Sequence, residues 1–140
     1  MRNILILRSV YGIIVAVLMA ILFLGCNNPK TKQINPEFAR YISAFTYGNV
    51  SSDAYIQIEL AQEIPAVELN ADIKEKLFAF SPSLKGRAVW INGNTIRFMP
   101  DAGELKPGKE YQATFHLGKV LKVDKEFEKF NFYFRVNEQN

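Results

Sequence analysis

The chain has 140 residues, 49 % of them apolar, with 17 basic and 14 acidic side chains and a formal charge of +3. That length holds one domain with a single modest core, and a lone cysteine excludes a disulfide framework within the chain. Arg2 and Arg8 carry most of the charge excess; the 15 basic and 14 acidic residues beyond Cys26 form no basic stripe, so nucleic acid is not an expected partner.

The first 26 residues, MRNILILRSVYGIIVAVLMAILFLGC, place basic residues ahead of an uncharged run at 10–25. This is the layout of a secretory signal, and the run is shorter than the ~20 residues that a spanning helix needs. Cys26 directly follows Leu24-Gly25 and closes the run, an arrangement that resembles the lipobox of bacterial lipoproteins. Phe23 stands three residues before the cysteine, where that family usually has Leu. The resemblance implies a signal peptide over 1–26, a diacylglycerol on the Cys26 thiol and a membrane as partner. Asn27 after the cysteine, with no acidic cluster behind it, implies an outer-membrane lipoprotein facing the periplasm. An inner-membrane anchor formed by an uncleaved helix is the alternative. Residues 27–37, beginning NNPKTKQINP, are polar and aperiodic and read as a flexible tether.

Beyond the tether the pattern is β throughout. Residues 41–47 read as a first strand and 48–53, GNVSSD, as a turn. At 55–60, Ile56, Ile58 and Leu60 alternate with Tyr55, Gln57 and Glu59, the signature of a half-buried strand. Residues 70–77, NADIKEKL, suggest a helical turn or two capped by Asn70. Phe78 and Phe80 then form a strand that Pro82 ends. Asn92-Gly93 between two apolar runs predicts a two-residue type I′ hairpin, with Val89 opposite Ile96 and Trp90 beside Arg97 on an outer face. A one-residue change in the loop would turn Trp90 to the core. Leu105 plugs a corner that Pro107-Gly108 turns. Tyr111, Ala113, Phe115 and Leu117 make one inward row, and Phe130, Phe132, Phe134 and Val136 make the last. Between those rows, the alternating Lys and Glu of 119–129 read as a solvated strand edge. The expected architecture is an all-β, Ig-like antiparallel β-sandwich of about seven strands over 38–137, after an N-terminal signal or anchor helix and with 138–140 as a tail. An up-and-down barrel is the alternative fold.

Ile96, Phe98, Pro100, Leu105, Pro107, Gly108, Tyr111 and Phe115 resemble the bacterial Ig-like domains of the S-layer type. With a lipoprotein leader and a short tether in front, the arrangement resembles the N-terminal domain of bacterial alpha-2-macroglobulin-like proteins. That resemblance implies the first domain, or a truncated copy, of a periplasmic peptidase inhibitor, with further macroglobulin-like domains or envelope proteins as partners. The family's bait region and Cys–Gln thioester are not matched, because Cys26 belongs to the leader. A stand-alone adhesin or glycan-binding module is the second function considered; it would use an exposed aromatic platform, for which Tyr55, Trp90 and Tyr133 are the candidate interface residues.

Residues for catalysis are not evident. His116 is the single histidine and lies on an outward row. Asp101 with Glu104, and Glu63 with Glu68, are carboxylate pairs at corners, where acids serve solubility. No phosphate loop, nucleophile elbow or zinc spacing occurs. The expectation is a chain that is no enzyme and holds neither metal nor cofactor.

Overall fold

Strands form where apolar residues alternate, and in the computed structural model, which describes residues 33–138, eight of them do so. They are β1 (Ile42–Phe45), β2 (Gly48–Val50), β3 (Ile56–Leu60), β4 (Phe78–Ser81), β5 (Gly86–Trp90), β6 (Thr95–Pro100), β7 (Glu110–Phe115) and β8 (Phe130–Val136). The strands make two four-stranded sheets, ordered β1-β3-β6-β5 and β2-β8-β7-β4. This is the Ig-like sandwich, in which A, B, E and D form one sheet and C, F and G the other. The leader, including Cys26, and most of the tether lie outside the described residues. Among the described residues no helix is long and apolar enough to cross a membrane.

The expected count of about seven becomes eight because the first strand divides. Gly48 takes φ +72°, a conformation that costs glycine little. The chain turns there and leaves β3 for the opposite sheet. Residues 48–50, expected to be a turn, instead run parallel to β8, with Gly48 opposite Phe134 and Val50 opposite Val136. Among the described residues, the pairings between the other strands are antiparallel.

The inward rows are where alternation puts them. Ile56, Ile58 and Leu60 are buried, as are Tyr111, Ala113, Phe115, Leu117 and the Phe130–Val136 row. Phe45, Phe130 and Phe132 pack as a chain of rings 5.0–5.6 Å apart, an arrangement aromatic quadrupoles favour. The tether's last residues also join the core. Pro36–Arg40 forms a 3-10 turn in which Asn35 Oδ1 accepts the Glu37 N–H (3.0 Å), and Phe38 packs on Phe127 and Phe130.

The corner after β6 holds one feature beyond the Leu105 plug. The Tyr111 hydroxyl donates to the Glu104 carbonyl and accepts the Lys106 N–H, both at 3.1 Å. A tyrosine at the start of the sixth Ig strand, bonded back to the preceding corner, is the tyrosine corner of this fold. Gly108, at φ +71°, makes the turn.

Three expectations are corrected. The hairpin between β5 and β6 is longer by one residue: Trp90 pairs with Ile96 and Val89 with Arg97. Ile91 donates to the Thr95 carbonyl (2.9 Å), leaving Asn92, Gly93 and Asn94 as the loop. The loop carbonyls are in use, since Gly93 O accepts the Ile64 N–H and Asn94 O accepts the Leu60 N–H, each at 2.7 Å. Those tertiary bonds select the longer loop over type I′, and Gly93 is not among the glycines at positive φ. Residues 70–77 form no helix. Asn70 sits at φ +60°, and the segment runs along β5, with Asn70 N–H to Trp90 O (2.9 Å) and Ile73 N–H to Ala88 O (2.8 Å). An isolated helix of eight residues is marginal in water, whereas these bonds cover an otherwise open sheet edge. Residues 119–129 are not a strand edge: 3-10 turns at Leu117–Lys119 and Lys125–Phe127 shape the stretch, and Phe127 is buried at 1 % exposure.

Candidate functional site

The edge of the other sheet on the side of β5 is β4. β4 pairs with β7 alone, and among the described residues no strand lies on its far side. The His116 N–H donates to Leu77 O (2.8 Å), which makes that pair a hydrogen-bonded one in the β4–β7 register. The alternation of an antiparallel ladder then turns the backbone N–H and C=O of Phe78 and Phe80 to the open side.

Beside this edge lies a cleft of about 390 Å³. Its floor is aromatic: Phe78 and Phe80 lie parallel with centroids 5.9 Å apart, and Phe80 lies 4.7 Å from Phe98. It is also lined by residues 72–77, whose first residues are bonded to β5, and by Gly86, Arg87 and Ala88 of that strand. The rim carries the Arg87–Asp72 ion pair at 2.8 Å, whose partners are both more than half exposed, so it contributes at most about 1 kcal/mol. An open strand edge beside an apolar floor is the geometry that accepts an extended peptide: backbone bonds supply affinity and alternate side chains enter the hollow. The sequence signal for it is Phe-x-Phe followed at once by Ser81-Pro82, because proline in a sheet is confined to edges and strand ends.

The three candidate interface aromatics are not brought together. Tyr55 is 53 % exposed and leads into β3, where the Arg97 guanidinium lies 4.9 Å over its ring. Trp90 does not sit beside Arg97 on an outer face; the register turns it to the inner face with Ile96, half-buried against the core. Tyr133 is half-buried on the outer row of β8, in the other sheet.

Among the described residues no three His, Cys, Asp or Glu side chains are grouped to hold a metal ion. Of the corner acids, Glu104 acts structurally, because its Oε2 accepts the Lys85 N–H at 2.9 Å and ties the corner to the chain between β4 and β5. His116 closes β7 beside a hollow of about 240 Å³ that it shares with Gly118, Lys119, Glu128 and Lys129. Partial burial, then the charges of Lys119, Lys129 and Lys76, lower its pKa from the ordinary histidine value. With the folded pKa lowered, the native chain binds fewer protons there than the unfolded chain just below neutral pH. The stability linked to this group is present above the ordinary histidine pKa and is lost as pH falls through the lowered one. His116→Gln is therefore expected to flatten the melting temperature between pH 7 and pH 5, and an unchanged slope would assign the dependence to other groups.

No protein-family model matches the chain, and no curated protein is significantly similar to it. Solved structures similar to it are L,D-transpeptidase 3 from Mycobacterium tuberculosis in complex with a faropenem-derived adduct and an L,D-transpeptidase from Mycobacterium tuberculosis H37Rv. Each is 11 % identical at a TM-score of 0.46, over 71 % of this chain and 39 % and 41 % of theirs. These are enzymes, and the expectation that the chain is no enzyme is corrected on that finding. This chain spans less than half the length of those structures, and the likeness brings no activity, substrate or residue role to it.

Proposed function

We infer that the chain is an Ig-like module of the bacterial cell envelope, held to the outer membrane by a lipid on Cys26 and engaging another polypeptide. Its place is that of the first domain of an alpha-2-macroglobulin-like peptidase inhibitor. The observation that carries the reading is the open edge of β4 with its aromatic floor at Phe78, Phe80 and Phe98, a geometry suited to an extended protein segment. In support, Leu105, Gly108 and Tyr111, among the residues on which the family resemblance rests, build the corner between β6 and β7. No single aromatic platform among Tyr55, Trp90 and Tyr133 favours a glycan-binding reading.

The anchor has a direct test. Full-length chain expressed in a bacterial host is expected to incorporate labelled palmitate, and Cys26→Ser is expected to abolish the label. Undiminished labelling of the variant would refute the lipobox. The inhibitor assignment is tested by the reading frames beside this one, which should encode further macroglobulin-like domains; their absence would remove that assignment and leave the anchored module.

A further inference from the structure

We propose that Asn92 is a self-modifying site. Its side chain closes on the Gly93 backbone nitrogen, loses ammonia and reopens as isoaspartate or aspartate, and the change releases the 92–94 loop from Leu60 and Ile64. The inference is independent of the Cys26 anchor and of the β4 edge.

The chemistry needs an unshielded backbone nitrogen, an amide carbon held over it and a donor on the oxygen that takes up charge. Residues 92–94 supply all three. Gly93 has no Cβ to shield its nitrogen. Among the described residues, the bonds that fix the loop use the Gly93 and Asn94 carbonyls and the Asn94 N–H, and leave the Gly93 N–H free. Asn92 is exposed to the water that the reaction consumes. Its Oδ1 accepts the Asn94 N–H at 3.0 Å. That bond folds the carboxamide back over the Gly93 peptide. It also sits on the oxygen where negative charge develops during attack, the placement that stabilises a tetrahedral intermediate.

The step balances with water and solvent base alone. Base removes the Gly93 N–H proton as the nitrogen bonds to Asn92 Cγ. The Cγ–Nδ2 bond then breaks, and the amide leaves with a proton as ammonia. The five-membered imide takes up one water. Opening at Cγ gives aspartate, and opening at the main-chain carbonyl carbon gives isoaspartate, in which the chain runs through Cβ and Cγ. Asn94 lacks this arrangement. It precedes the β-branched Thr95, and its carboxamide is engaged, donating to Leu60 O (3.4 Å) and accepting the Thr95 hydroxyl (3.0 Å).

The product strains a loop that is fixed at both ends. Ile91 N–H meets Thr95 O at 2.9 Å, and within that bond Gly93 O and Asn94 O hold the Ile64 and Leu60 N–H groups, each at 2.7 Å. Isoaspartate adds one carbon to the main chain there and displaces those carbonyls from their donors. The new carboxylate also enters beside the residue that Glu63 covers, since the Glu63 side chain would lie 3.6 Å from a Cβ on Gly93. The like charge opposes a return to the original bonds.

The experiment incubates the full-length chain in mildly alkaline buffer. The tryptic peptide 88–97, which holds both Asn92 and Asn94, is followed by mass spectrometry with isoaspartate and aspartate resolved. Asn92 is expected to convert at least about tenfold faster than Asn94, and Gly93→Ala, which the space around Gly93 accommodates, to slow Asn92 by about tenfold. The folded chain should convert at least as fast as the chain unfolded in urea, because the fold holds the Asn94 bond in place. Converted chain, separated by its added negative charge, should exchange the Leu60 and Ile64 amide protons about tenfold faster, while the Phe132 amide in β8 keeps its rate. An Asn92 that stays intact, or that converts more slowly folded than in urea, would overturn the site. Conversion with unchanged exchange at Leu60 and Ile64 would overturn the release of the loop.

Discussion

Gly86→Ala is expected to lower the stability of the domain by about 1–3 kcal/mol, the range of an overpacked core position. At about 4–8 °C per kcal/mol for a domain of this size, that is a drop in melting temperature on the order of 10 °C. Gly86 opens β5 opposite Pro100 of β6. A Cβ there would lie 2.3 Å from Met99 O, 2.9 Å from Pro100 Cα and 2.8 Å from Phe98 Cζ. Two of those atoms are backbone of the partner strand, so no rotamer change relieves the contact and the end of the ladder must part. The control is Gly93→Ala. The nearest atoms a Cβ at Gly93 would meet are those of the Glu63 side chain, at 3.6 Å and beyond, and Gly93 has no positive φ to defend. That change should stay within about 0.5 kcal/mol. Thermal unfolding followed by circular dichroism separates the two. If Gly93→Ala proved the costlier, the loop would have to be the two-residue type I′ turn that Asn-Gly suggests, and the β5–β6 register would be wrong.

That contrast shows what the sequence makes legible. Rows of period two are readable because burial on one face dictates them: Ile56, Ile58 and Leu60, then Tyr111, Ala113 and Phe115, then Phe130, Phe132 and Phe134. The corner is readable because Leu105 and Pro107-Gly108 act locally. What escapes local reading is set by partners distant in sequence. Asn92-Gly93 carries the signal of a tight turn, but Leu60 and Ile64 claim the carbonyls of a longer loop. Residues 70–77 have a helical composition, but Trp90 and Ala88 offer them backbone partners. Phe127 sits among lysines and glutamates, and Phe38 and Tyr41, distant in sequence, pack on it in the core. The candidate site escaped for the same reason. Phe78 and Phe80 are legible as one row of a strand, yet that β4 is left open is a property of the sheet order, which no single stretch encodes. Trp90 moved from outer face to inner by one residue of register, as a period of two requires.

Tyr111→Phe is expected to cost about 1–3 kcal/mol, the range for stranding partners of a buried hydroxyl. Tyr111→Ala should cost about 3–5 kcal/mol, as for other large aromatic side chains removed from a core. Tyr111 is 2 % exposed, and its ring stacks on Phe134 at 5.5 Å and 17°. The phenylalanine variant keeps that packing and removes only the bonds to Glu104 O and Lys106 N–H. The difference between the two variants is thus the contribution of the ring, and the first alone is that of the hydroxyl. Hydrogen exchange locates the effect: the Lys106 amide should lose protection in Tyr111→Phe, while the Phe132 amide in β8 should change only with global stability. If Lys106 exchanged at the same rate in both proteins, the hydroxyl would not be holding the corner. The consequence extends across the sandwich. Glu104 Oε2 also holds the Lys85 N–H, and Lys85 O accepts the Asp101 N–H, both at 2.9 Å. Lys85 immediately precedes Gly86. The corner, the entry to β5 and the wall of the cleft thus share one set of bonds. Combining Tyr111→Phe with Gly86→Ala should therefore cost an amount that departs from the sum of the single changes by about 0.5 kcal/mol or more, the behaviour of sites in one network. Strict additivity would mean that the corner and the cleft wall move independently.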